Sequence, residues 1–139
     1  MKTTHQKVSK EINATPEQAW DVIGAVGGVD KWFSSIIKTC RVEGSTRICE
    51  TQDGFQLFEN ILEVNNSAKI FRYNIPEQEM LPIENIVAAL KVTTADSGNA
   101  IIEWSGSFHS TDDNANMASE ALKGLWGMGI DGIENHINA

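Results

Sequence analysis

The sequence predicts an α+β fold, an antiparallel sheet of consecutive hairpins followed by one long C-terminal helix. Two observations carry this. Short apolar segments recur between turn signals at Gly44-Ser45, Asp53-Gly54, Asn65-Asn66-Ser67 and Asp96-Ser97-Gly98-Asn99, as successive hairpins require. Residues from Asp113 to Ala139 then read as a single helix. Strands followed by a helix, without regular alternation of the two, belong to the α+β class.

The elements follow in order. Lys7 to Ile12 alternates weakly and suits an edge strand. Thr15-Pro16-Glu17-Gln18 is a helix start: Thr15 as N-cap, Pro16 at the first helical position, Gln18 completing the capping box. Ala19, Trp20, Val22 and Ile23 supply its apolar face, and Gly24, Gly27 and Gly28 end it. Asp30 to Ser34 suits a further short turn of helix carrying Trp32 and Phe33. Six strands are expected next, near Ile36–Glu43, Arg47–Thr51, Phe55–Val64, Lys69–Ile75, Ile83–Thr94 and Ala100–Ser110, with Pro76 to Pro82 as a turn region.

In the last strand Ile102, Trp104, Gly106 and Phe108 share the inward face, and in the strand before it Ile86, Ala88, Leu90 and Val92 do. Pairing two even-numbered sets needs an odd loop, for example Ser97-Gly98-Asn99, with Gly98 or Asn99 at positive φ. Thr111, Asp112 and Asp113 offer N-caps to the final helix and place acids at its positive end.

That helix carries Gly124, Gly127, Gly129 and Gly132. Each costs a helix interior roughly 0.5–1 kcal/mol relative to Ala. Something offsets that cost, either close approach to a surface or room left beside it. The expectation is that these glycines, with Gly106 and Ala88 opposite, make space for a cavity walled by Trp32, Tyr73, Trp104 and Trp126.

The 139 residues suit one domain with one core, spanning 1–139. A net charge of -8 argues against nucleic acid and against anionic membrane surfaces, which both call for clustered Lys and Arg. No apolar run reaches the roughly 20 residues of a membrane-spanning helix. The first residues, Met1-Lys-Thr-Thr-His-Gln-Lys-Val, have no apolar signal core, so a cytoplasmic location is expected. Cys40 and Cys49 flank the Gly44-Ser45 turn; a two-residue turn sets them opposite each other, and a slip of one residue sets them on opposite faces. Both are expected as reduced thiols. His5, His109 and His136 are scattered and no Cys-x-x-Cys occurs, so neither a metal nor a cofactor is expected.

Catalytic motifs are sparse. There is no Gly-x-Ser-x-Gly and no phosphate-binding loop; Gly24-Ala-Val-Gly-Gly28 lacks a preceding strand. Glu59, on the same face as Leu57 and Ile61, reads either as a buried acid needing a partner, which Arg47 on the neighbouring strand can supply, or as a solvated carboxylate on the strand surface. Such a pair is a polar handle and a weak acid/base candidate.

Several segments resemble the START-like (SRPBCC) superfamily with the helix-grip fold. They are Ala14-Thr15-Pro16-Glu17-Gln18-Ala19-Trp20-Asp21-Val22-Ile23, Trp32, Ile36-Ile37-Lys38-Thr39-Cys40, Gly44 with Arg47, Phe58-Glu59-Asn60-Ile61, Phe71-Arg72-Tyr73 and Ile102-Glu103-Trp104-Ser105-Gly106-Ser107-Phe108. The chain is most similar to the polyketide cyclase/dehydrase-type branch, and more distantly to the birch-pollen-allergen and plant abscisic-acid-receptor families. The resemblance implies a curved seven-stranded antiparallel sheet gripping the C-terminal helix, two short helices after the first strand, and a hydrophobic cavity between sheet and helix. It implies that Glu59, Tyr73, Trp104 and Arg47 face the cavity from the sheet, and Leu122 and Trp126 from the helix. Trp32, Ile37, Ile86 and Phe108 complete the expected ligand-contacting set with Ser34, which falls near the position of the plant receptors' ligand-pairing lysine. Gln52-Asp53-Gly54 lacks those receptors' Ser-Gly-Leu-Pro-Ala gate, which argues against a hormone-receptor role.

Three functions follow as expectations. The first is binding or carriage of a small hydrophobic or aromatic molecule by a monomer or homodimer. The second is a cyclase or dehydratase using Glu59, Arg47 or Tyr73 for proton transfer. The third is a protein-interaction module like the chaperone activators that share the fold.

Overall fold

The computed structural model describes residues 1–139. The chain runs β1 (Lys2–Glu11), α1 (Pro16–Ile23), α2 (Val29–Trp32), β2 (Ile37–Glu43), β3 (Thr46–Thr51), β4 (Gln56–Asn65), β5 (Ile70–Ile75), β6 (Glu84–Thr94), β7 (Ala100–Ser110) and α3 (Asp112–Ile137). The strands form one antiparallel sheet in the order β1-β7-β6-β5-β4-β3-β2. Five hairpins link β2 to β7 in succession, and only β1 reaches its neighbour β7 from far along the chain. Bulges on β2, β4 and β6 bend the sheet. At the β6 bulge Asn85 takes φ 52, a left-handed conformation that Asn tolerates.

α3 lies across the inner face, and α1 and α2 close one end. A single cluster of 27 buried residues unites all three helices with the sheet. The capping box of α1 forms in full: Thr15 Oγ1 accepts from the Gln18 amide at 3.1 Å, and Gln18 Oε1 accepts from the Thr15 amide at 2.9 Å. Thr111 is the N-cap of α3 by position, yet its side chain makes no capping hydrogen bond. The even-numbered faces of β6 and β7 pair as expected, with Ala88 opposite Gly106 and Leu90 opposite Trp104. Their connection, residues 95–99, is closed by the Ala95 amide donating to the Asn99 carbonyl at 2.8 Å, with Gly98 at φ 90.

Most boundaries fall within one or two residues of expectation, and two differences have a clear structural cause. β1 starts at Lys2, well before Lys7, because β7 runs to Ser110 and offers every residue of the polar leader a ladder partner, down to Lys2 opposite Ser110. Hydrophobic alternation cannot reveal a strand whose pairing is mostly backbone. α2 spans Val29–Trp32 in place of Asp30–Ser34, because Gly28 at φ 80 starts it one residue early and the Phe33 amide closes it on the Val29 carbonyl.

Candidate functional site

A cavity of about 100 Å³ lies between the sheet and α3. Nine of the expected residues line it: Trp32, Ile37, Arg47, Glu59, Tyr73, Ile86, Trp104, Leu122 and Trp126. Ser34 does not. It is exposed beyond the end of α2, where its carbonyl accepts the Gln52 side-chain amide at 2.9 Å. The stacked pair Trp32 and Phe33 fills the inward side of that turn and leaves the next residue facing out. Phe108 shares the inward face of β7 but is fully buried in the core, four residues beyond Trp104, and does not reach the cavity.

The walls are aromatic. Trp104 of β7 stacks on Trp126 of α3 with centroids 6.0 Å apart, and Trp32 of α2 meets Trp104 edge-on at 6.3 Å. The Trp104 indole N–H donates to the Tyr73 hydroxyl at 3.1 Å. Burial first, and then the nearby Glu59 charge, push the Tyr73 pKa up, so the phenol keeps its proton.

The polar part of the wall comes from three strands. Arg47 of β3 and Glu59 of β4 are register partners. Arg47 Nε donates to Glu59 Oε1 at 2.5 Å, and both side chains are under a tenth exposed. Arg47 Nη1 also donates to the Val26 carbonyl at 2.8 Å, and the guanidinium lies 4.9 Å from the Phe71 ring and 5.5 Å from the Tyr73 ring. Burial works against the arginine's charge, but the Glu59 carboxylate outweighs it and raises the pKa above its ordinary value. Val26 holds φ 67, a costly conformation for a β-branched residue. Its carbonyl is thereby aimed at Arg47, and the strain is offset by that charge-assisted hydrogen bond.

Cys49 shares the inward face of β3 with Arg47. Its thiol lies 3.1 Å from Cys40 Sγ and 3.9 Å from Glu59 Oε1. Glu59 Oε2 has no protein partner and is not sealed from the cavity. No cluster of three or more His, Cys, Asp or Glu could hold a metal ion.

The sequence reading missed part of the lining. Gln78, Met80 and Leu81 of the β5–β6 connection and Leu125 of α3 also line the cavity, all partly buried. Gln78 braces this segment: its amide donates to the Leu81 and Ile83 carbonyls at 2.9 and 2.8 Å and accepts from the Leu81 amide at 2.9 Å. Two adjacent apolar residues inside a proline-bounded turn were the available signal. The helix glycines also differ from expectation. A Cβ on Gly129 would come 2.6 Å from the Trp104 ring, and one on Gly132 would overlap the Trp32 carbonyl oxygen. These glycines admit close packing of α3 and do not leave room. Gly124 faces open solvent, Gly127 touches only the Lys10 side chain, and Gly106 packs against the backbone at Val87 and Ala88.

Solved structures share this architecture along almost the whole chain. Protein XoxI from Bacillus cereus superposes with a TM-score of 0.87 at 23% identity, over 96% of this chain and 95% of that one. Ginseng major latex-like protein 151 from Panax ginseng gives 0.81 at 16% identity, over 96% and 97%. Norcoclaurine synthase from Thalictrum flavum gives 0.78 at 13%, over 96% and 86%. At these identities the likeness is one of fold. No curated protein matches the chain. Residues 3–137 match the family described as polyketide cyclase / dehydrase and lipid transport. With nearly the full length matched and the helix-grip architecture in place, the chain belongs to the polyketide cyclase/dehydrase and lipid transport family.

Proposed function

We propose that this protein binds a small hydrophobic molecule, about one aromatic ring in size and bearing an acceptor oxygen, in the cavity between the sheet and α3. The Tyr73 hydroxyl carries this reading. Its oxygen accepts the Trp104 N–H, and its own proton has no protein acceptor. In a wall otherwise formed by Trp32, Trp104, Trp126, Ile86 and Leu122, a phenol or ketone oxygen satisfies that donor while the ring takes the apolar surface. The size follows from the volume. About 100 Å³ is below the roughly 300–1,000 Å³ of most ligand pockets and nearer the ~150 Å³ cavity known to accept benzene. The family's description, with lipid transport in it, supports a hydrophobic ligand.

The test is titration with acetophenone and with toluene, followed by tryptophan fluorescence. Tyr73→Phe is expected to weaken acetophenone binding about tenfold, the worth of roughly one buried hydrogen bond, and to leave toluene binding unchanged. If the variant binds both as the wild type does, Tyr73 is not the ligand's donor and the reading fails.

One observation favours a catalytic role beside binding, the unpartnered Glu59 Oε2 on the cavity wall. Arg47 is committed to Glu59 and Val26, and Tyr73 keeps its proton. A cyclase or dehydratase step would therefore turn on Glu59 as acid or base. Folded Glu59→Gln protein that binds substrate without turning it over is the result this second reading expects.

A further inference from the structure

The cysteine pair stands outside the ligand-binding reading. Cys40 and Cys49 are register partners in the β2–β3 hairpin, three pairs from the Glu43–Thr46 pair that closes the Gly44-Ser45 turn. Hydrogen-bonded and non-hydrogen-bonded pairs alternate along an antiparallel ladder, and the pair closing a two-residue turn is hydrogen-bonded. Cys40–Cys49 is then a non-hydrogen-bonded pair. Such pairs bring Cα atoms to about 4.5 Å, inside the roughly 4.4–6.8 Å that a disulfide spans. The two free thiols already lie 3.1 Å apart. They also differ in access: Cys40 is half-buried near the sheet edge, whereas Cys49 is 2% exposed.

We propose that Cys40 and Cys49 form a dithiol site that a hydroperoxide converts into an intramolecular disulfide, with Cys40 as the attacking and Cys49 as the resolving thiol. In the first step the Cys40 thiolate attacks the terminal peroxide oxygen. An S–O bond forms, the O–O bond breaks, and the departing alkoxide takes a proton to become an alcohol. Sulfur is oxidised to sulfenic acid and the peroxide is reduced. In the second step Cys49 sulfur attacks Cys40 sulfur. The S–S bond forms, the S–O bond breaks, and hydroxide leaves with the Cys49 proton as water. The sum is two thiols plus one hydroperoxide giving one disulfide, one alcohol and one water.

The surroundings favour this division of labour. The Cys49 thiol donates to Cys40 sulfur and, with the Val29 amide and the Arg47 charge, lowers the Cys40 pKa against burial and the Glu59 charge, from 9.0 to about 7. The shift raises the thiolate share of Cys40 at neutral pH above that of an ordinary cysteine. Cys49 is pushed the other way, by its bond to Cys40 and by burial, so it stays protonated while Cys40 attacks; conversion of the Cys40 thiolate to sulfenic acid removes the first of these causes before Cys49 attacks in turn. Because Cys49 also lines the cavity beside Glu59, the disulfide would alter that wall.

The full chain is exposed to tert-butyl hydroperoxide, alkylated with N-ethylmaleimide and measured by intact and peptide mass spectrometry. The expected product is monomeric protein that has lost two hydrogens, takes up no alkylating agent, yields a peptide linked through Cys40 and Cys49, and reverts with dithiothreitol. Cys49→Ser should accumulate Cys40 sulfenic acid, trapped by dimedone. Cys40→Ser should slow oxidation of the remaining thiol at least about tenfold. Wild-type protein whose thiols survive the peroxide, or which ends as Cys40 sulfinic acid or as disulfide-linked dimers, overturns the proposal. A Cys40→Ser protein that oxidises at the wild-type rate overturns the assignment of the attacking thiol. None of these outcomes depends on what the cavity binds.

Discussion

At the scale of single residues, the buried Arg47–Glu59 pair has the largest energetic consequence. Each group gives the other its counter-charge in a site with little water, and the Val26 carbonyl takes a further arginine proton. Removing one partner leaves the other charged and unpaired. Glu59→Gln and Arg47→Met are each expected to destabilise the protein by about 3–5 kcal/mol, read from denaturant unfolding midpoints. Changes of only a few tenths would mean that solvent reaches both groups. The pair was legible in the sequence, because odd parity along two neighbouring strands set both residues on one face. The Val26 carbonyl was not, because nothing local marks a valine for a left-handed conformation.

At the scale of elements, α3 shows how one residue type serves different ends. Gly129 sits against the Trp104 ring and Gly132 against the Trp32 carbonyl, while Gly124 faces solvent. Alanine should therefore act with opposite signs. Gly129→Ala pushes against a ring held by Trp32 and Trp126, and overpacking of this kind costs about 1–3 kcal/mol. Gly132→Ala meets backbone, which cannot turn aside, and is expected to cost at least as much. Gly124→Ala meets nothing and should stabilise by roughly 0.5–1 kcal/mol through helix propensity. Thermal unfolding of the three variants checks the order; a destabilising Gly124→Ala would contradict it. The glycines were visible as an anomaly in a helical pattern. Whether each marked contact or space depended on the distance between α3, α2 and β7, which no helical periodicity contains.

At the scale of the whole molecule, the small volume of the cavity bounds the size of the proposed ligand. Met80, Leu81 and Leu125 are partly buried aliphatic side chains of its wall, and the Gln78 brace holds the segment that carries two of them. A two-ring ligand must displace them. Leu81→Ala should raise affinity for a naphthalene probe about tenfold, the worth of a side chain no longer needing displacement, and leave a one-ring probe within about twofold, by calorimetric titration. Wild-type protein that already binds both probes equally would show that these side chains give way at no cost.

The sequence alone determined the α+β class, the hairpin order, the capped first helix and the inward faces of β6 and β7. These depend on local physics: turn chemistry, capping and a side-chain period of two. It also offered Arg47 as a partner for Glu59, because the two sit on neighbouring strands joined by the short connection at Gln52-Asp53-Gly54; the β3–β4 register then sets them opposite each other. Tertiary structure decided how far along each strand the cavity extends. Trp104 and Phe108 share a face, yet only Trp104 lines the cavity, and Ser34 turns outward behind the stacked Trp32 and Phe33. It also brought Gln78, Met80 and Leu81 to the cavity wall from what read as a turn. Periodicity reports which side of an element a residue occupies. Depth below a curved sheet depends on bulges and on how closely a helix seats, and those distances are set by packing between residues far apart in the chain.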